Sequence, residues 1–512
     1  MLVLLIASVL DGIVANRMFP TMDEDDHIGY GVKILQGQPD RSNPYLDSKT
    51  PITALNALPR VIAEHMESFP GIRKFLWFLV RLSSVVAALV VIVFIYRFAY
   101  ERYGPAAGWI AAILAALSPN LIAHGTLATS DGYFAAGVLA TCYFLRRYLL
   151  EPTIRNGLIS ALTLALAQLT KPMAIYLYLI AGVFVILAMF RRSALRIRAK
   201  DLVVYGVLVI GLTVAVLNIA YSFDRTLTPW GSYPFESSVL KPLQHAPWIE
   251  KIPVPLPYPV LQGFDMMLHT DETGSTWGNI YLLGELRRFG DPGFHNFKSY
   301  YLVAWFFKEP IPLQILFIWG VVYVATQRKN DFLFTECLIL AAAGVLVLWL
   351  SLFSRTQVGI RHILPALAIE IIIAAAPFSE FSAASRAKQG VLAGLVLWLG
   401  LSTFSYYPNM IPYMNEWVTD RRLSYRILAD SNLDWGQDRG AVVQFLQNNP
   451  DVVLDPDQPV SGRVLISADR LVGITPKDTG PMTWALRYRP VAQVGYAHFL
   501  FNIPSDSAVD PK

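Results

Sequence analysis

Charge is scarce in this 512-residue chain: Asp, Glu, Lys and Arg together make up 16% of it, against 54% hydrophobic residues. With a mean hydropathy of +0.42, the composition exceeds what a soluble core needs and matches repeated bilayer crossings. Cysteine is nearly absent. Cys142 and Cys337 both fall inside apolar runs, which excludes a disulfide framework or a thiolate metal site and leaves them as small core residues. There is no basic stripe interleaved with aromatics, and the net charge is only +4, so nucleic acid is not an expected partner. Internal repeats and low-complexity tracts are also missing. The opening segment, MLVLLIASVLDGIVANR, lacks the positive start and small-residue cleavage site of a signal peptide and reads as a retained first helix. It is short for a span of about 20 residues, so either the helix continues to Phe19 or the true start lies further upstream.

Long apolar runs are plentiful. After the first segment they fall at 75–96, 106–122, 132–145, 158–169, 175–190, 202–221, 301–325, 332–353, 363–376 and 391–407, which makes about eleven spans. The short loops carrying Arg97 and Arg102, Arg146 and Arg147 with Arg155, Arg191 to Lys200, Arg328 with Lys329, and Arg386 with Lys388 alternate with basic-poor loops. The positive-inside rule assigns the basic set to the cytoplasm, which places the opposite loops and the tail on the outer face of the cell (plasma or inner) membrane. The expected fold is therefore an all-α polytopic membrane protein. A transmembrane domain fills 1–408, with outer loops at 20–72 and 223–299, and a small C-terminal α/β extracytoplasmic domain fills 409–512. The 223–299 loop is longer than an unstructured connector and reads as a lid or substrate-contacting insertion. In the tail, the pattern predicts a helix near 425–446, a strand at 463–467, a helix near 482–488 and a strand at 492–503.

The richest polar stretch is TMDEDDHIGY, residues 21–30. Thr21 and Glu24 have the spacing of a capping box, so a short helix should run from there to Leu35 and stop at Gly37. Acidic residues in a first helical turn are favoured by the macrodipole whatever their chemistry; the functional reading is a general base facing a lipid-borne substrate. The same face collects Asp131, Lys171 in LTKP, and Arg361 with His362 in VGIRHILP. Singly, each has an ordinary explanation as a cap, a snorkelling cation or a satisfied histidine, and so does His124. Together they mark a substrate path, because ionisable groups bordering a membrane interior are costly. A carboxylate to take a hydroxyl proton, beside cations that receive a phosphate charge, suits transfer from an anionic lipid carrier. Asp23 and His27 are four apart on one helical face, a spacing at which two side chains share a divalent ion, although two ligands are too few to define a metal site.

These segments, in order, resemble the bacterial branch of the family 39 glycosyltransferases, of the GT-C superfamily: DE in the first outer loop, SPNLIAHGTLATSDGYFA, LTKP, YLLGELRRFGDPG before YLVAWFFKEPIPL, VGIRHILP, YMNEW and DSNLDWGQD. Protein O-mannosyltransferases and the aminoarabinose transferase of lipid A are relatives. The resemblance implies a GT-C-like fold that moves a sugar from a polyprenyl-phosphate carrier to a glycan, lipid or protein acceptor, with inversion, on the non-cytoplasmic side. It puts Asp23 at the catalytic aspartate with Glu24 as its partner, Asp131 at the second acidic position, and Lys171, Arg361 and His362 at the carrier phosphate or sugar. Lys49, in Asp47-Ser48-Lys49-Thr50-Pro51, replaces a motif that in the aminoarabinose branch has an acidic residue directly before the lysine, and is retained as a phosphate ligand. DSNLDWGQD has no assigned role: Asp430, Asn432 and Asp434 could reach an acceptor, and a capped helix start explains them equally well. A transporter or flippase of lipid-linked sugars is the alternative; it calls for inverted repeats and broken helices near the midplane, which the sequence does not display. A scaffold whose tail binds a partner leaves the outer-face cations unexplained.

Overall fold

A computed structural model describes residues 1–37, 50–65, 70–190, 197–274, 278–327, 331–474 and 482–505. Six of the described helices are long and apolar enough to cross a bilayer, and up to nine segments qualify when each of three bent helix pairs counts as one span. The two further segments expected to span are also helices: Asp131–Leu150, charged at both ends, and Ile154–Ala167, with only 14 residues. Each bend contains a proline, which removes a helical hydrogen bond and disfavours helix in the preceding residue. Pro20 separates Leu2–Arg17 from Met22–Leu35 at 97°, Pro119 opens the second half of a 61° pair, and Pro310 breaks Tyr300–Lys308 from Ile311–Thr326 at 113°.

Burial sorts the helices. Ile360–Ala383 is 83% enclosed and forms the centre of the bundle, whereas Ala199–Ala220 is only 17% enclosed and turns Val203, Val207 and Ile210 outward. An apolar helix with an apolar exposed face is at rest in lipid, since its backbone groups are satisfied within the helix. The long helix Pro70–Tyr103 outruns the expected 75–96 at both ends. Its far end is held by charge: Arg102 pairs with Asp331 and Glu336, while Arg146 reaches Glu101 at 3.3 Å and Asp331 at 3.8 Å. This network lies about 30 Å along the helix from Arg81, at the end carrying the basic loops.

Residues 223–299 build their own apolar nucleus from Tyr233, Phe235, Leu240 and Leu268, with Tyr233 stacked on Tyr258 at 4.7 Å. The helix Tyr258–Thr273 and a hairpin, β1 (Ile280–Leu282) with β2 (Glu285–Arg287), complete it. It docks on the turn before Arg361, where Asp271 accepts from Ser354 Oγ at 2.6 Å and Gln357 exchanges two bonds with the backbone of Phe297. The tail carries a four-stranded sheet in the order β3-β4-β6-β5, from Val453–Leu454, Gly462–Ser467, His498–Ile503 and Ala492–Val494. The strand expected at 492–503 is thus two antiparallel strands. The helix expected near 425–446 survives only as Arg439–Asn448, because Asp430 (φ +57°) and Gly436 (φ +83°) leave helical backbone. Tail residues Tyr425, Leu433, Val464 and Phe499 join the same buried cluster as Ile360, Leu364 and Leu367 of the bundle.

Candidate active site

The acidic helix forms as its sequence requires. Glu24 Oε2 accepts from the Thr21 amide at 2.9 Å and from its hydroxyl at 3.1 Å, closing the capping box. The helix ends at Leu35, before Gly37 (φ +67°). It lies so close to the helix Thr53–His65 that a Cβ on Gly31 would stand 2.5 Å from the carbonyl of Thr53. The position admits only glycine.

Asp23, in the first turn, meets a cation from the other end of the chain. Arg361 Nη1 is 2.9 Å from Asp23 Oδ2 and 3.7 Å from Asp131 Oδ2, and Lys171 Nζ lies 2.5 Å from Asp131 Oδ1. Thr129 Oγ1 steadies Asp131 at 3.1 Å. The structure thus brings together four of the residues singled out in the sequence, from four separate elements. Asp131 and Arg361 side chains are 2% and 6% exposed, while Asp23 and Lys171 keep 15% and 20%. The first two are the floor of the site and the latter two are its reachable rim. His362 follows Arg361 in the turn Ile360–Ile363, within coulombic reach of Asp131 and Lys171. Lys49 lies outside the described residues.

Glu24 has a different place from the one its neighbour suggests. It is fully buried, with Arg81 Nε 2.7 Å from Oε1, Arg81 Nη2 2.5 Å from Oε2, and the Ala128 amide 2.8 Å from Oε1. Arg81 also donates to the carbonyls of Ala15, Met18 and Phe19. Glu24 therefore bolts the acidic helix to the long helix and to the turn before Asp131; it reaches Asp23 only by holding the helix both share. His27 sits one turn beyond Asp23 on that helix. No group of three His, Cys, Asp or Glu side chains converges on a common point among the described residues.

The sequence does not single out Trp435 or Arg81, and it reads His124 as a satisfied histidine, which the structure does not bear out among the described residues. Trp435 lays its ring 4.0 Å from the guanidinium carbon of Arg361, a cation–π contact that fixes the plane of the guanidinium. His124 is buried to 1% with its ring centroid 6.3 Å from that of Trp435, and neither ring nitrogen has a hydrogen-bond partner among the described residues. The buried Nε of Arg361 is likewise unpartnered there. Arg81 carried a signal that went unused, a cation inside an apolar run. Arg361 therefore holds two carboxylates through one nitrogen and keeps further donors for an incoming oxyanion.

Residues 66–221, somewhat under a third of the chain, match the family described as dolichyl-phosphate-mannose-protein mannosyltransferase. No curated protein matches the chain in sequence at a significant level. Among solved structures, the chain superposes on ArnT from Cupriavidus metallidurans, bound to undecaprenyl phosphate, with a TM-score of 0.51 at 12% identity, covering 98% of this chain and 97% of that one. The two chains share one fold. The apo oligosaccharyltransferase of Archaeoglobus fulgidus aligns with a TM-score of 0.48 at 15% identity, over 88% of this chain and 58% of the archaeal protein. The matched family segment holds Arg81, His124, Asp131 and Lys171, while Asp23 and Arg361 lie beyond its two ends.

Proposed function

We propose that the protein is an inverting glycosyltransferase, moving a sugar from a polyprenyl-phosphate carrier to an acceptor hydroxyl on the non-cytoplasmic face of the cell membrane. The observation that carries this reading is the paired constellation of Asp23 with Arg361 and Asp131 with Lys171, two carboxylates and two cations at one lip of the bundle. The undecaprenyl phosphate bound to ArnT and the phosphate-linked mannose in the matched family's description support the carrier class.

In this reading the acceptor oxygen attacks the anomeric carbon opposite the phosphate. The carbon–oxygen bond to phosphate breaks, its electron pair stays on the phosphate oxygen, and the hydroxyl proton passes to Asp23. Arg361 and Lys171, with Lys49 from outside the described region, receive the phosphate charge; the fork of Arg361 suits two phosphate oxygens. Asp131 holds both cations in place, and His362 lines the sugar side. A phosphodiester carrier carries one negative charge, the same as Asp23, so it competes for Arg361 on equal terms and leaves Asp23 free as base. The test is purified protein in nanodiscs with radiolabelled mannosyl-phosphoryl-undecaprenol. Release of undecaprenyl phosphate with label passing to an acceptor supports transfer, whereas a lipid-linked sugar transporter would leave the glycosidic bond uncut. Mass spectra of lipids and glycans from cells with and without the protein would name the sugar and the acceptor.

A further inference from the structure

The segment Asp430–Asp438, DSNLDWGQD, has no part in the chemistry above, yet it holds the chain on both sides of the central ion pair, at the turn bearing Arg361 and at the residues just before Asp23. On one side it grips the turn bearing Arg361. Asn432 Oδ1 accepts from the Ile360 amide at 3.0 Å, Ser431 Oγ donates to the Val358 carbonyl, and the ring of Trp435 lies under the Arg361 guanidinium. The fit is tight enough that a Cβ on Gly359 would overlap Ser431 Oγ. On the other side it holds the start of the acidic helix: the Met22 amide donates to the Trp435 carbonyl at 3.1 Å and the Phe19 amide to the Gln437 carbonyl at 3.0 Å. The acidic helix and the Arg361 turn exchange no backbone hydrogen bond with each other among the described residues.

The segment is itself anchored from beneath. Lys308, fully buried, donates to the Asn432 carbonyl at 2.5 Å and the Ile411 carbonyl at 2.7 Å, and Asn432 Nδ2 donates to Tyr300 Oη at 2.9 Å. Its own turns are braced by Gln437, which accepts from the Trp435 amide at 2.7 Å and donates to the Leu433 carbonyl at 2.7 Å. Its end is pinned by Asp438 to His498 at 3.0 Å.

We propose that residues 430–438 are a clamp that sets the distance and orientation between Asp23 and Arg361, with Asn432 and Trp435 as positioning residues. The kinetic half of this inference rests on the transferase reading; the structural half does not. Displacing a reacting group by 1 Å costs on the order of 100-fold in rate, so loosening the clamp should act on turnover rather than on carrier affinity.

Two readouts test it. In full-length protein, Asn432→Ala should speed amide exchange at Ile360, which loses its acceptor, and also at Phe19 and Met22, which Asn432 does not touch, while Glu336–Leu352 keeps its protection. With mannosyl-phosphoryl-undecaprenol as donor, kcat should fall about 10- to 100-fold with KM within a few-fold of wild type. Trp435→Leu should fall likewise, and Trp435→Phe, which keeps a ring under Arg361, should recover most of the loss; this pair carries the test if Asn432→Ala does not fold. Faster exchange confined to Ile360, or Trp435→Leu turning over as fast as Trp435→Phe, overturns the clamp. A wild-type protein that never cleaves the donor removes the transferase reading, and the exchange pattern then decides the clamp alone.

Discussion

Asp23 and Arg361 are 338 positions apart and in contact at 2.9 Å, and each does something its nearest chemical substitute cannot. Asp23→Asn keeps the shape and loses the base, so transfer should drop about 10²- to 10⁴-fold with the amount of folded protein unchanged; label transfer at the wild-type rate would remove the base assignment. Arg361→Lys keeps the charge but loses the planar fork and the stacking on Trp435. A fall in kcat/KM of about 10- to 100-fold, chiefly through KM for the carrier, is expected from donor titrations. His498 gives a pH signature. Burial opposes its charge, but the hydrogen bond that it donates to Asp438 and the charges of Asp438, Asp434 and Asp455 outweigh burial and lift it to about 9 from an ordinary 6.5. A raised folded value stabilises fully below pH 6.5 and the gain is lost as pH rises through about 9. Thermal unfolding in detergent should therefore weaken across that window by about 3 kcal/mol, and His498→Gln should flatten the slope; parallel curves would rule out this origin. Asp23, Asp131, Lys171 and Arg361 were legible because each interrupts or borders an apolar run at the same predicted face. Trp435 was not, since it fell inside a segment whose spacing reads as an ordinary helix, and its partner lies 74 positions away, a separation no local spacing rule can see.

At the scale of elements, the acidic helix was legible to its last residue because its cap and stop are written locally, in Thr21, Glu24 and Gly37. The role of Glu24 was not, because Arg81 is 57 positions distant. Breaking such a buried pair leaves a charge without its counterion, so Glu24→Gln should cost about 3–5 kcal/mol. Scanning fluorimetry should show it, and adding Arg81→Met should return part of the loss. Equal melting points for Glu24→Gln and wild type would mean the bolt holds nothing. The predicted tail helix near 425–446 failed for the opposite reason: its apolar spacing is helical, but Asp430 and Gly436 take left-handed backbone to form the clamp, and tertiary contacts override a modest propensity.

For the molecule as a whole, the sequence located the apolar segments but not their bends: broken helices were not expected, yet three helix pairs bend by 97°, 61° and 113° beside Pro20, Pro119 and Pro310. The sidedness read from basic loops gives a direct test. Cysteines placed at exposed Arg198 and Lys241, with Cys142 and Cys337 replaced, should be labelled by impermeant maleimide only from the cytoplasm and only from outside, respectively; the reverse pattern would invert the proposed face. The small C-terminal α/β domain expected from the periodicity of residues 409–512 shares a buried cluster with the bundle, where its apolar residues join Ile360, Leu364 and Leu367. Periodicity cannot report which of two neighbouring units an apolar face will choose.

Lys308 stands at the 113° break between Tyr300–Lys308 and Ile311–Thr326, and the two carbonyls that hold its ammonium, of Ile411 and Asn432, come from the last quarter of the chain. During synthesis the spans up to Phe404 are made before those carbonyls exist, so a cation waits in the half-built bundle for its acceptors. The ion-paired lip is then completed only once Ile411 and Asn432 have been made. A protein stopped at residue 408 would be inserted without the carbonyls that hold Lys308.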